Sequence, residues 1–276
     1  KILTKQAPKI DKNAIVVQRL KRTASILNKL DRYEEMKLHR MQDIGGCRVI
    51  LAKVENVIQL KSALEKNRAK HEIIKINDYI SEPKDSGYRG IHIIFRYVGT
   101  TNFDYDKHLV EVQLRTKLQH AWATAVEIMG SVLNQSLKTS QGSPDYLDTF
   151  KDISKILSFY EGIIPAGYTK ENVEENLFKI IMKNNLITEL SHRLASFSIG
   201  TKYISHGKSN GYYLVELDMD EGKVKTMHFN INEMDIATEK YLEKEKEKKN
   251  NVVLVSATSL NNLKKAYPNY FADSTL

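Results

Sequence analysis

Residues 75–95 read KINDYISEPKDSGYRGIHIIF, and their punctuation decides the fold. The apolar, β-branched run HEIIKI leads into them and IHIIFRYV leads out, so two strands are predicted with one long loop between. In a chain of 276 residues with only 13 Gly and 5 Pro, that loop holds Pro83, Gly87 and Gly90. Pro83 stiffens its entry, and the two glycines permit backbone conformations that a side chain would block. Tyr88, bracketed by them, is expected to stand outward with an open ring face. Such a ring can stack on a nucleobase, worth roughly 1–3 kcal/mol. A core aromatic between ordinary turn glycines is the other reading.

Outward from the loop, GCRVILA and HLVEVQLRT read as further strands, while VENVIQLKSALEKN and KLQHAWATAVEIMGSVL read as helices. Asn13 to about Tyr33 reads as one continuous helix. Strands and helices interleave without the regular spacing of a doubly wound sheet, which predicts an α+β fold with a twisted mixed sheet. Residues 1–133 form the expected first domain. The polar segment SLKTSQGSPDYLD and the helix FKDISKILSFYEG make residues 134–171 a helical linker. Residues 172–276 suggest a smaller α+β domain: a helical stretch, a hairpin of YYLVELDMD and KVKTMHFNI, a helix to about Lys249, the strand VVLVSA and a short helix ending at Ala266. The run EKYLEKEKEKKNN, with its alternating charges, reads as a solvated helix end.

The net charge of +8 is unevenly spread. Residues 1–171 carry 28 basic and 20 acidic side chains, whereas residues 172–276 carry 14 of each. The first part is therefore the one expected to meet phosphates, unless its basic surface is merely solvated. No run approaches the length of about 20 apolar residues that a membrane span needs. The sole cysteine, Cys47, excludes an internal disulfide and leaves no thiolate zinc site; it fits a buried small hydrophobe and a reducing cytoplasm.

On the predicted helix QRLKRTASILNKLDR, at roughly 100° per residue, Lys21, Ser25, Lys29 and Arg32 fall on one stripe, with Arg19 and Arg22 nearby. Leu20, Ala24, Leu27 and Leu30 gather opposite as the packing face. Fixed cations on one stripe suit a polyphosphate, although any amphipathic helix has a polar face. Asp43 stands at the mouth of the strand CRVIL, and Glu111 lies within VEVQLR, where alternation puts Glu111, Gln113 and Arg115 on one face. A mid-strand carboxylate needs a partner. Mg2+, which accepts one or two carboxylates plus phosphates, is one candidate, and pairing with arginine, Arg48 for Asp43, is the other.

Together, Arg19 to Arg32 in the pattern R-x-K-x3-S-x3-K-x2-R, DIGGCR at 43–48, NDYISEPKDSGYRGIH at 77–92 and VEVQLRT-x3-HAWA at 110–123 resemble the synthetase domain of the RelA/SpoT homologues. The resemblance implies a nucleotidyltransferase-like sheet and transfer of the β,γ-pyrophosphate of ATP to a ribose hydroxyl, with Mg2+. Carried over motif by motif, Arg19, Lys21, Ser25, Lys29, Arg32 and Arg48 would grip ATP. Asp43 and Glu111 would be the metal-binding and catalytic carboxylates, converging around one divalent ion. Tyr88 would stack on the acceptor's base, with Lys84, His92, Gln113 and Arg115 nearby. Trp122 is expected in the core, and His120 either in the site or as a satisfied structural histidine. No histidine–aspartate hydrolase motif precedes the domain, so a small, monofunctional synthetase is expected.

The end of the chain, LKKAYPNYFADSTL, sets Tyr267 and Tyr270 around Pro-Asn. It resembles the C-terminal antitoxin domain of the CapRel-type fused toxin–antitoxin proteins, in which such a motif lies over the ATP site. That resemblance implies autoinhibition, release by a phage structural protein of capsid type, and the 3′ CCA end of tRNA as acceptor. The competing expectations are an alarmone synthetase acting on GDP or GTP, and an RNA-binding sensor without catalysis.

Overall fold

The computed structural model describes residues 2–21, 23–66, 71–99, 105–133, 135, 137, 140–190, 210–218, 223–246 and 251–257. Through the first part run α1 (Ile2–Ile10), β1 (Ile15–Leu20), α2 (Thr23–Arg32), β2 (Gly45–Leu51), α3 (Val54–Lys66), β3 (Glu72–Asp78), β4 (Ile91–Arg96), β5 (Leu109–Thr116) and α4 (Lys117–Val132). There follow α5 (Pro144–Tyr160), α6 (Val173–Lys183), β6 (Gly211–Asp218), β7 (Lys223–Asn230), α7 (Met234–Lys246) and β8 (Asn251–Ala257). The strands form one mixed sheet in the order β3-β4-β5-β2-β1-β8-β6-β7. Strands β2 and β5 pair in parallel across the crossover that includes α3, and the other neighbours are antiparallel. The α+β fold with a mixed sheet is as expected.

The continuous helix expected from Asn13 to Tyr33 is not formed. Its first part is strand β1, and α2 begins only at Thr23. Ile15, Val16 and Val17 are β-branched and suit a pleated surface, and β1 supplies ladder partners to β2 on one side and β8 on the other. The helical stripe therefore shortens to Ser25, Lys29 and Arg32, with Lys21 in the connection, where its amide donates to the Ile44 carbonyl at 2.7 Å. The expected packing face is also broken: Leu20, now in a strand, is 44% exposed and Leu27 54%. A helix not foreseen, α1, packs on α3 through the buried Ala7.

One side of the sheet is apolar. Val49, Leu51, Ile91, Ile93, Val112 and Leu114 pack under Val57, Leu60 and Leu64 of α3, and Cys47, expected to be buried, is partly buried at the margin. Alternate residues of β4 and β5 face the other side. There Trp122, Val126 and Met129 of α4 pack with Phe150 of α5, and the Trp122 indole N–H donates to the Phe150 carbonyl at 2.8 Å, so Trp122 is a core residue. The segment expected as a linker thus supplies a helix that packs on α4. Strands β6 to β8 continue the same sheet, with Arg19 opposite Val255 and Gln18 opposite Ser256, while α7 covers them through Ala237 and Tyr241. Tyr267, Tyr270 and the short helix expected before Ala266 lie outside the described residues. No helix among those described is long and apolar enough to cross a membrane.

Candidate active site

The Asp78 carboxylate ends β3 by accepting the amides of Ile80 and Ser81, both at 3.1 Å. Such a cap turns the chain. The Tyr79 amide donates to the Gly90 carbonyl at 2.9 Å and closes the loop at its base. Inside, Gly87 N–H reaches the Lys84 carbonyl at 2.8 Å and Lys84 N–H reaches the Tyr88 carbonyl at 3.1 Å. Both glycines are needed, with φ of 85° at Gly87 and 149° at Gly90. A Cβ on Gly90 would also lie 3.1 Å from Tyr88 Oη and 3.2 Å from Arg115 Cγ. Gly90→Ala is accordingly expected to cost about 1–3 kcal/mol in urea unfolding and to displace both side chains.

Tyr88 does not stand outward. The loop folds back over the sheet and turns the ring inward, 6.3 Å from Trp122 and 5.8 Å from Tyr79 between centroids. The Arg115 guanidinium lies 5.0 Å and the Lys84 ammonium 5.3 Å from its centroid. The outward reading failed because the phenol finds polar partners on the sheet, and a buried hydroxyl is drawn to such partners.

Those partners close a ring. Arg115 donates through Nε to Tyr88 Oη at 3.0 Å and through Nη2 to Gln113 Oε1 at 3.1 Å. Gln113 Nε2 donates to Glu111 Oε2 at 2.7 Å. On the other arm, Tyr88 Oη lies 2.5 Å from His92 Nε2, and His92 Nδ1 lies 2.8 Å from Glu111 Oε1. A neutral imidazole protonated on Nδ1 satisfies every contact: Tyr88 donates to Nε2 and Nδ1–H donates to Glu111. Burial favours that neutral form by pushing the His92 pKa down. Burial alone would raise the Glu111 carboxyl, but the His92 hydrogen bond, then Gln113 and the Arg115 charge, bring it down to about 2. Both arms thus run from a guanidinium to a fully ionised carboxylate. The mid-strand Glu111 has its partners in a histidine and an amide.

Asp43 belongs to a second cluster. Lys21 Nζ lies 2.5 Å from its Oδ2 and Lys29 Nζ 3.1 Å from its Oδ1. Burial raises this carboxyl, yet the Lys21 and then Lys29 contacts hold it below its ordinary value. The pairing considered for Asp43, with Arg48, is replaced by one with two lysines. Arg48 instead occupies the β2 position in register with Gln113 of β5, buried on the Glu111 face. Arg19 falls in the row Arg19–Gly46–Glu111 by backbone register, and Ser25 lies one turn before Lys29. Arg32 and Tyr33 line a cleft of about 550 Å³ together with Tyr79, Pro83 and Lys84, so the end of α2 and the loop face one space. Behind it, a cavity of about 130 Å³ is lined by Lys84, Tyr88, His92, Gln113, Arg115 and Trp122.

Asp43 and Glu111 do not converge on shared partners. Asp43 lies two residues before β2 begins at Gly45, Glu111 lies in register with Gly46, and each carboxylate is engaged by its own donors. Among the described residues there is no group of three or more His, Cys, Asp or Glu able to hold a metal. Mg2+ usually takes only one or two carboxylates plus phosphates, and phosphates would draw Lys21 and Lys29 off Asp43. The donor set therefore fits Mg2+ brought with a polyphosphate, with Asp43 as a protein ligand.

Two groups were not foreseen. Tyr79, whose ring lies 4.4 Å from Lys84 Nζ and edge-on to Tyr88 and His92, follows the Asp78 cap directly, and that spacing is a usable signal. Arg89, Ser154 and Glu161 join the loop to α5, and no local pattern announces a contact across 72 residues.

Residues 18–129 match the family model described as the region found in RelA / SpoT proteins. The chain is 39% identical over 113 residues to GTP pyrophosphokinase YjbM of Bacillus subtilis, and 37% over 114 residues to GTP pyrophosphokinase YwaC of the same organism. These matches cover 40% and 38% of this chain and 52% of each relative, so the chain spans about half the length of the curated relatives. Among solved structures, the small alarmone synthetase 1 from Bacillus subtilis bound to its product pppGpp superposes with a TM-score of 0.46 at 31% identity, covering 53% of this chain and 74% of that one. Small alarmone synthetase 2 from the same organism gives 0.47 at 25% identity, covering 53% and 76%.

Proposed function

We propose that the protein is an ATP-dependent pyrophosphokinase. The observation that carries this reading is the hydrogen-bonded ring that holds an ionised Glu111 beside the loop, across from the cations of α2. In the reaction, an acceptor hydroxyl attacks the β-phosphorus of ATP, its proton passes to Glu111, and the bond to the α-phosphate breaks to release AMP. A carboxylate with a pKa of about 2 is a weak base at rest. A hydroxyl that displaces the Gln113 contact removes one stabilising bond and makes it stronger. Lys21, Lys29, Arg32 and Arg48 bind the triphosphate, with Arg19 and Ser25 alongside. Mg2+ carried on Asp43 would neutralise charge on the transferred and departing phosphates.

The acceptor in this reading is the 3′ CCA end of tRNA, whose pyrophosphorylation would block aminoacylation and so translation, and the resemblance carried by Tyr267 and Tyr270 supports it. A second reading, GDP or GTP as acceptor, is favoured by the names of the curated relatives, both GTP pyrophosphokinases. Incubation of the purified Tyr270→Asp chain, in which the proposed inhibition is relieved, with γ-labelled ATP and tRNA, GDP or GTP distinguishes them by which species becomes labelled. Label in none, with RNA binding intact, selects the non-catalytic sensor.

Autoinhibition by the C-terminal part, relieved by a phage structural protein, belongs to the same proposal. Its support is direct attachment to the ATP-binding segment: β8 pairs with β1, and Tyr241 of α7, whose phenol burial and Glu245 push up, hydrogen-bonds Thr23 at the start of α2. A tethered inhibitor also acts at high effective concentration. Tyr270→Asp is expected to make expression toxic, and unimpaired growth of cells producing it counts against autoinhibition.

A further inference from the structure

Glu161, just past the end of α5, touches none of the residues assigned to substrate. Its carboxylate is nonetheless the centre of the most enclosed polar cluster described. Arg89 Nη1 donates to its Oε2 at 2.5 Å with both side chains nearly sealed, 4% and 5% exposed. Gln119 Nε2 reaches the same oxygen at 3.2 Å, and the Thr116 hydroxyl donates to Oε1. Arg89 also donates through Nε to Ser154 Oγ at 3.3 Å, while Ser154 donates to the Gly87 carbonyl at 2.5 Å.

These partners are the sequence neighbours of the ring. Gly87 and Arg89 flank Tyr88, and Thr116 follows Arg115. One carboxylate, just past α5 and beyond the residues 18–129 of the family match, therefore holds the side chains that adjoin both partners of the Tyr88–Arg115 hydrogen bond in sequence, Arg89 and Thr116. An apolar pair of equal volume often serves a core as well, so stability by itself does not explain a buried charge with that many donors.

We propose that Glu161 is a positioning residue of the acceptor site: through Arg89 and Thr116 it sets the separation of Tyr88 from Arg115, and hence the hold of His92 on Glu111. This rests on the pyrophosphokinase reading only for its kinetic consequence. The ATP cations lie on β1, on α2, on β2 and in the connection that carries Lys21, and Glu161's contacts are to Arg89, Thr116 and Gln119 instead, so the effect is confined to the acceptor. The residues expected as a linker would then be part of the active site.

The test uses the full chain carrying Tyr270→Asp as the parent, so that the proposed autoinhibition does not mask turnover, and whichever of tRNA, GDP or GTP accepts label. Glu161→Gln is expected to raise the KM for that acceptor on the order of tenfold to a hundredfold, with the KM for ATP changed by less than about twofold. Ser154→Ala, which loses only the Gly87 and Arg89 contacts, moves the same constant in the same direction by less. Should Glu161→Gln fail to fold, the double variant Arg89→Met with Glu161→Met removes both charges together and is read instead. Independently of turnover, nitrogen NMR of the His92 ring is expected to report the single Nδ1–H tautomer in the parent and a mixture in the variants. An unchanged acceptor KM and a single tautomer in a folded variant overturn the proposal. If the parent labels no acceptor, the pyrophosphokinase reading fails, and the tautomer measurement alone decides on Glu161.

Discussion

Glu111→Gln is expected to lower pyrophosphate transfer by about 10²–10⁴-fold, the usual contribution of a positioned general base. The amide keeps the size of the carboxylate and its oxygen still accepts from His92 Nδ1–H, but its NH2 faces the Gln113 NH2, so the Gln113 link of the ring is lost while the His92 arm and the cations that bind ATP stay in place. Release of AMP from labelled ATP reads the loss. The same variant carries a signature in acid. Because the folded carboxyl titrates near 2 against an ordinary 4.5, its contribution to stability is complete above pH 4.5 and disappears as pH falls towards 2. The parent is therefore expected to exceed the variant in urea stability most above pH 4.5, with the two curves converging below it. Parallel curves through that window, or transfer reduced by less than about tenfold, argue that Glu111 is an ordinary strand residue.

Asp43→Asn separates two roles that a lysine-bound carboxylate could have. If Asp43 only neutralises Lys21 and Lys29, its loss frees two cations for phosphate and both binding and turnover of ATP hold or improve. If it carries Mg2+, binding of free ATP in EDTA is no weaker in the variant, while turnover falls on the order of 10²–10³-fold and added Mg2+ no longer tightens nucleotide binding. The second outcome is the one expected, since both oxygens face ammonium groups that a triphosphate competes for. A variant that keeps both its rate and its response to Mg2+ removes Asp43 from the site. Isothermal titration with and without the metal, alongside the AMP assay, gives the two readings on one sample.

Much of the site was legible wherever the information is local. Period-two alternation put Glu111, Gln113 and Arg115 on one face, and the two-glycine bracket marked a loop whose φ values only glycine adopts readily. The strands β2 to β5 and the helices α3 and α4 follow from patterns no longer than themselves. Where the outcome depended on a partner far along the chain, local pattern failed. Residues 15–20 satisfy a helical wheel, yet they form a strand because β2 and β8 offer ladder partners on both sides. Tyr88 lies inward because Arg115 and His92 await its hydroxyl, Asp43 is held by lysines from a connection and a helix folded over it, and Arg89 is buried only because Glu161 meets it. Side-chain identity and spacing dictated which groups could do phosphoryl chemistry. Long-range pairing, whose energy appears only once strands and helices are assembled, dictated which of them touch.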